Sequence, residues 1–172
     1  SRMAHGSEAY DLLMTTDESV ANTLTLKLEQ NNLERKQLVG LIVEQAIKQF
    51  TDETAPIVVV GDHSWPLGVL GLAASKLVEK WRRPVFVWGA SGGEIKGSAR
   101  SDGTVNLVDI FRSADGLENF FIQYGGHPMA GGFSLSADRL LELTNQLNLA
   151  YQSVEKMPAG LPILIDSELS LG

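Results

Sequence analysis

The chain has 172 residues, 44% of them hydrophobic, with 14 basic against 21 acidic side chains and a formal net charge of −7. That much apolar material can bury on the order of two-thirds of the unfolded surface, which excludes intrinsic disorder, and the acidic balance excludes a protein that holds nucleic acid or an anionic membrane over its whole surface. There is no cysteine, and His5, His63 and His127 stand far apart, so a disulfide framework, a thiolate metal site and the usual zinc signatures are excluded as well.

Ser7 to Leu13 reads as a short amphipathic helix, and Asp17 or Thr16 is a plausible N-cap for a much longer one. From Val20, the apolar positions Leu24, Leu28, Leu38, Ile42, Ala46 and Ile47 recur at helical spacing around a polar stretch. A helix of about thirty residues would reach about 45 Å, more than a small domain needs for its own core, so it is expected to be a connecting arm. The pattern breaks at Thr51–Pro56, and Ile57–Val60 is a β-branched run of the kind found in strands buried on both faces. A helix from Gly68 to Trp81 and a strand Pro84–Trp88 follow, an order that predicts a parallel crossover. A strand Glu94–Ser101 comes next. A short helix around Leu117 to Ile122, a glycine-rich loop Gly125–Gly132, a strand Phe133–Leu135 and a helix from about Ala137 to Val154 complete the domain. Ile163–Asp166 reads as a further strand after a linker. The longest apolar runs fall far short of the roughly 20 residues that span a bilayer, and residues 1–6 hold no apolar signal core, so a soluble, cytoplasmic chain with no membrane partner is expected.

Two segments carry candidate chemistry. In Lys96-Gly97-Ser98-Ala99-Arg100-Ser101 the period of two places Lys96, Ser98 and Arg100 on one strand face, an ammonium, a hydroxyl and a guanidinium suited to phosphate. A solvated strand face explains the same alternation. From Lys76 to Arg112, seven basic residues stand against four acidic ones, a local excess of +3 within the acidic chain. In Gly125-Gly126-His127 and Gly131-Gly132, four glycines within eight residues suit a backbone approached closely by a phosphate, with His127 adding a hydrogen bond or a titratable charge. A tight turn between a helix and a strand accounts equally well for them. Asp62-His63 follows the first strand, where α/β folds place ligand contacts, and also reads as a turn. The glycines of Gly68 and Gly71 match neither the dinucleotide nor the P-loop spacing. Trp65, Trp81 and Trp88 are expected in the core or facing a partner.

Taken together, Trp65 to Leu77, Arg83-Pro84-Val85-Phe86-Val87, Lys96 to Ser101 and Gly125-Gly126-His127-Pro128-Met129-Ala130-Gly131-Gly132-Phe133 resemble the DHH-associated domain of RecJ-type single-stranded-DNA exonucleases. The resemblance implies an α/β fold, a small mixed sheet flanked by helices and preceded by the long connecting helix. It divides the chain into the end of a catalytic DHH domain with the connecting helix (1–54), a substrate-binding domain (55–156), and a linker with the start of an OB-like domain (157–172). It implies part of a 5′-to-3′ exonuclease whose Mn²⁺ or Mg²⁺ ions sit in the DHH domain of the same polypeptide, leaving this chain inactive by itself and without metal. Lys96, Ser98, Arg100, Gly125, Gly126 and His127 are the positions implied to hold single-stranded DNA through its phosphates. The chain departs from the family at Pro66, where histidine is usual, and at Lys76, where arginine is common. The alternatives are an oligoribonuclease or nucleotide phosphoesterase relative and a catalytically silent replication scaffold.

Overall fold

A computed structural model describes residues 7–116 and 119–157. Helix α1 (Ser7–Met14) packs against α2 (Glu18–Gln49), a 32-residue helix about 48 Å long. Asp17 caps α2, its carboxylate accepting from the Ser19 and Val20 N–H groups at 2.8 and 3.3 Å. Only Val39, Ile42 and Ala46 of α2 are buried. Its first half is braced by α1, through the Lys27–Glu8 ion pair at 2.6 Å, and leaves Leu26 and Leu33 exposed. The expected long helix is therefore present, anchored by its last three turns.

Five strands form one mixed sheet in the order β1-β2-β3-β5-β4: β1 (Val58–Gly61), β2 (Val85–Ser91), β3 (Glu94–Arg100), β4 (Gln123–His127) and β5 (Ala130–Ser136). β1 and β2 are parallel, joined through α3 (Leu67–Trp81), and the other pairs are antiparallel. The alternation of the strands sends two apolar sets to opposite faces. On one face Val58, Val60, Val85 and Val87 pack under Val69, Leu70, Ala73, Ala74 and Leu77 of α3, with the end of α2 alongside. On the other, Phe86, Ile95, Ala99, Phe133 and Leu135 meet α4 (Leu107–Asp115) and α5 (Leu140–Ser153). Phe111 is the hub of that second core, its ring 5.9, 5.6, 5.8 and 5.9 Å from those of Phe86, Phe121, Tyr124 and Phe133.

Two expectations are corrected. The helix predicted around Leu117–Ile122 is absent at Asn119–Ile122, with residues 117 and 118 outside the described residues. The helical segment is α4, started by the Asn106 side chain accepting from the Val108 N–H at 2.9 Å and stopped at Gly116, whose φ of 50° an L-residue rarely adopts. Its apolar stripe is Leu107, Ile110, Phe111 and Ala114. The glycine-rich loop is also not a loop: Gly125, Gly126 and His127 form the end of the edge strand β4, paired with Gly132, Gly131 and Ala130 across the two-residue turn Pro128-Met129. Cross-strand pairing overrides the low strand propensity of glycine. The helix expected from Ala137 begins as a 3₁₀ turn, Ala137–Arg139, before α5. Ser1-Arg2-Met3 and the expected strand Ile163–Asp166 lie outside the described residues.

Candidate nucleic-acid interface

Helix α3 covers β2 and β3 on its side of the sheet, and no described helix continues over β5 and β4 there. The register defines what this open face presents. Arg100 pairs with Ala130, which pairs with His127; Ser98 with Gly132 and Gly125; Lys96 with Ser134 and Gln123. Residues paired across a sheet point the same way, so these nine form a grid of three rows, with about 6.6 Å between rows and about 4.8 Å between strands. The alternation puts Ser98 and Arg100 on one strand face as expected, and the pairing with β4 adds Gly125 and His127 beside them. Lys96 lies in the third row.

The grid is concave because its centre has no side chains. A cleft of about 490 Å³ is lined by Ser98, Arg100, Gly125, Gly126 and Ala130–Gly132 on the strands and by Leu67, Gly68 and Gly71 on α3. The start of α3 faces it. Pro66 occupies the N-cap and supplies no side-chain acceptor, the Val69 N–H donates to the Pro66 carbonyl at 3.2 Å, and Leu67, Gly68 and Gly71 form the helix wall of the cleft. The half-buried Arg100 donates from Nη1 to the Ala99 carbonyl at 2.7 Å, and its Nη2 lies against Gly71, where a Cβ would come within 2.8 Å of it. The Ser98 hydroxyl makes no hydrogen bond among the described residues.

The glycines of the two pairs differ in cause. Gly126 has φ 148°, and a Cβ there would fall 2.3 Å from the Ala130 carbonyl; a Cβ on Gly131 would strike the Phe111 ring at 2.6 Å. Both are required by the fold. At Gly125, in ordinary extended conformation, a Cβ would meet nothing within 4 Å, and at Gly132 only the Gly97 carbonyl at 3.5 Å. The fold does not demand glycine at Gly125, and its missing side chain leaves space in the cleft.

Of the seven basic residues between Lys76 and Arg112, Lys96 and Arg100 line the open face. Arg83 is spent on structure, donating from Nη1 to the Glu53 and Ala55 carbonyls at 2.8 and 2.6 Å, and Arg112 pairs with Asp109 at 3.2 Å on α4. Lys96 lies 3.3 Å from Glu94. The segment after β1 is a turn: Asp62 accepts from the Ser64 N–H and hydroxyl at 2.8 and 2.6 Å, and the hydroxyl first, then the N–H, holds the Asp62 carboxyl below its ordinary range. His63 lies edge-on to Trp88 at 5.4 Å. Trp65 is buried, its Nε1 donating to Gln45 at 2.6 Å, while the Gln49 carboxamide both accepts from and donates to Gly61 at 3.0 Å. These bonds tie α2 to the loop that sets the start of α3. Sequence reading did not single out Gly68, Gly71, Gln123 and Ser134 as lining the open face, since their places depend on helix docking and strand register. Among the described residues no three His, Asp or Glu side chains come together as a metal site, and no helix is long and apolar enough to cross a membrane.

A mixed sheet with one crossover helix and a glycine-floored open face is an α/β domain of defined family: residues 53–153 match the DHHA1 domain, and the chain belongs to that family. Within it, the chain is similar to the single-stranded-DNA-specific exonuclease RecJ. It is 37% identical over 153 residues to the Bacillus subtilis protein, covering 86% of this chain and 19% of that one. To the Thermus thermophilus protein it is 34% identical over 135 residues, covering 78% and 19%. The crystal structure of Thermus thermophilus RecJ in complex with Mg²⁺ superposes with a TM-score of 0.79 at 29% identity, over 91% of this chain and 24% of that one. A manganese-bound exonuclease RecJ gives 0.78 at 28%, over 92% and 38%. The chain thus spans about a fifth of the length of these curated relatives.

Proposed function

We propose that this chain is the substrate-binding portion of a RecJ-like 5′-to-3′ single-stranded-DNA exonuclease, and that its open sheet face holds the DNA phosphate backbone. Residues 55–156 form the binding domain in this reading, 1–54 carry the arm from a catalytic DHH domain of the same cytoplasmic polypeptide, and 157–172 lead to an OB-like domain. The observation that carries it is the conjunction of Ser98, Arg100 and the start of α3 around a floor left open at Gly125. A phosphate in that cleft would accept from the guanidinium and the hydroxyl, and the missing Gly125 side chain lets the strand approach the sheet. Gly126 and His127 border the same approach, and Lys96 lies one step further along. Such contacts give affinity without base sequence, as a nuclease acting on any single strand requires. The described residues do not fit a catalytic metal. In this reading, hydrolysis with Mn²⁺ or Mg²⁺ belongs to the DHH domain of the same polypeptide.

Arg100→Lys tests this on one sample, by fluorescence anisotropy with a labelled single-stranded oligonucleotide and by thermal unfolding. Lysine keeps the charge and loses the fork, so binding should weaken about tenfold while the melting temperature holds. Unchanged binding would remove Arg100 from the interface, and a large drop in melting temperature would make it a structural residue.

A further inference from the structure

The third row of the grid is not absorbed by the phosphate reading. Lys96, Ser134 and Gln123 line a separate concavity of about 590 Å³, together with Glu94 and the apolar side chains of Leu67 and Ile122. It shares Leu67, Gly125 and Gly132 with the phosphate cleft, so the two are continuous. Its chemistry differs. Glu94 stands 3.3 Å from Lys96, so the row carries no net formal charge, which disfavours a phosphate. Ser134 is buried to 9% exposure, yet neither its hydroxyl nor the Gln123 carboxamide makes a hydrogen bond among the described residues. Unused donors and acceptors at the floor, apolar groups at the sides and a neutral balance suit a flat, neutral, polar-edged ligand. The spacing adds a second constraint: the row lies one strand repeat, about 6.6 Å, beyond Ser98, the distance of one nucleotide unit in an extended strand.

We infer that this concavity is a nucleobase subsite, taking the base of the nucleotide adjacent to the phosphate held at Ser98 and Arg100, with Gln123 and Ser134 bonding its polar edge and Leu67 and Ile122 against its faces. This rests on the phosphate reading of the adjoining cleft. The Gln123 carboxamide donates and accepts, so it can serve more than one base, and the Lys96–Glu94 pair supplies one further donor and one further acceptor. The subsite makes binding depend on a base at one position while remaining tolerant of its identity.

The test uses the full chain and a set of short single-stranded oligonucleotides in which one nucleotide at a time is replaced by an abasic tetrahydrofuran unit, which keeps every phosphate. One position in the set should bind about fivefold to tenfold more weakly than the parent, the size of one or two net hydrogen bonds. Gln123→Ala, and separately Ser134→Ala, should shrink that difference while leaving the affinity of the abasic oligonucleotide unchanged. Arg100→Lys should weaken parent and abasic oligonucleotides alike. Equal affinity across the whole abasic series would overturn the base subsite and leave the phosphate cleft standing. Failure of the unaltered chain to bind any oligonucleotide would remove the phosphate reading and the subsite with it. Lys96→Gln supplies a further check: a salt slope shallower by about 0.7 would show a phosphate on Lys96 and overturn the neutral-base assignment.

Discussion

Gly125→Ala separates a glycine kept for a ligand from one kept for the backbone. The added methyl meets no atom of the protein within 4 Å, and the residue is not in the left-handed region. Alanine in a strand is favoured over glycine by about 0.5–1 kcal/mol, so the variant should melt at the same temperature as the parent or a few degrees higher. The methyl would, however, stand on the floor shared by both concavities and lift a bound strand off the sheet. Losing one charge-assisted hydrogen bond of about 1.5–3 kcal/mol predicts single-stranded DNA binding weaker by tenfold or more. Gly126→Ala, one residue away, should do the reverse in stability: at φ 148° and 2.3 Å from the Ala130 carbonyl, strain of about 1–3 kcal/mol should lower the melting temperature by several degrees. Calorimetry on both variants and anisotropy on Gly125→Ala make the comparison. A folded Gly125→Ala protein that binds DNA as tightly as the parent would refute the assignment of this surface.

Gly71→Ala should displace the Arg100 guanidinium, which its Cβ would approach to 2.8 Å, and so weaken DNA binding while the helix gains propensity; a binding curve identical to the parent's would mean that the guanidinium position is immaterial. Phe111→Ala should lower stability by about 3–5 kcal/mol in urea titration, because four ring contacts and a fully buried side chain are lost, and a cost below 1 kcal/mol would deny its place at the centre of the core. The Asp17 carboxyl is held below its ordinary value of 3.8 by the Ser19 hydroxyl first and then by the Val20 and Ser19 N–H groups. Its folded pKa is the lower one, so the stabilisation is complete above 3.8 and is lost as pH falls through the folded value. Circular dichroism on acidification should show less loss of helix in Asp17→Asn, which caps without titrating, and equal loss in both would contradict the capping role.

The parts of the fold legible in sequence are those with local signals. The N-cap at Asp17, the β-branched run at Val58–Val60 and the alternation Lys96-Ser98-Arg100 each follow from spacing within a few residues, and each stands where spacing puts it. Helix α4 has its signals too, in Asn106, the Leu107, Ile110, Phe111, Ala114 stripe and the stop at Gly116, one segment before the helix that spacing predicts at Leu117–Ile122. Strand β4 was illegible for a different reason. Gln-Tyr-Gly-Gly-His has no strand signature of its own and becomes a strand only because β5 pairs with it, a contact set by the whole sheet. The same holds for function at single residues: Gly125 and Gly126 are alike in sequence, and only the atoms around their absent Cβ positions tell the space for a ligand from the needs of a backbone. Local excess of basic charge was a weaker guide, since Arg83 and Arg112 are engaged elsewhere.

The central claim is that a small, localised phosphate site on an acidic protein binds single-stranded DNA. Its most direct measurement is the affinity of the unaltered chain for a single-stranded oligonucleotide across a salt series. Contact with two or three phosphates predicts weak binding, with the logarithm of affinity falling against that of salt at a slope of about −1.4 to −2.1. A slope near zero, or one several times steeper that needs a surface far wider than this cleft, would contradict it.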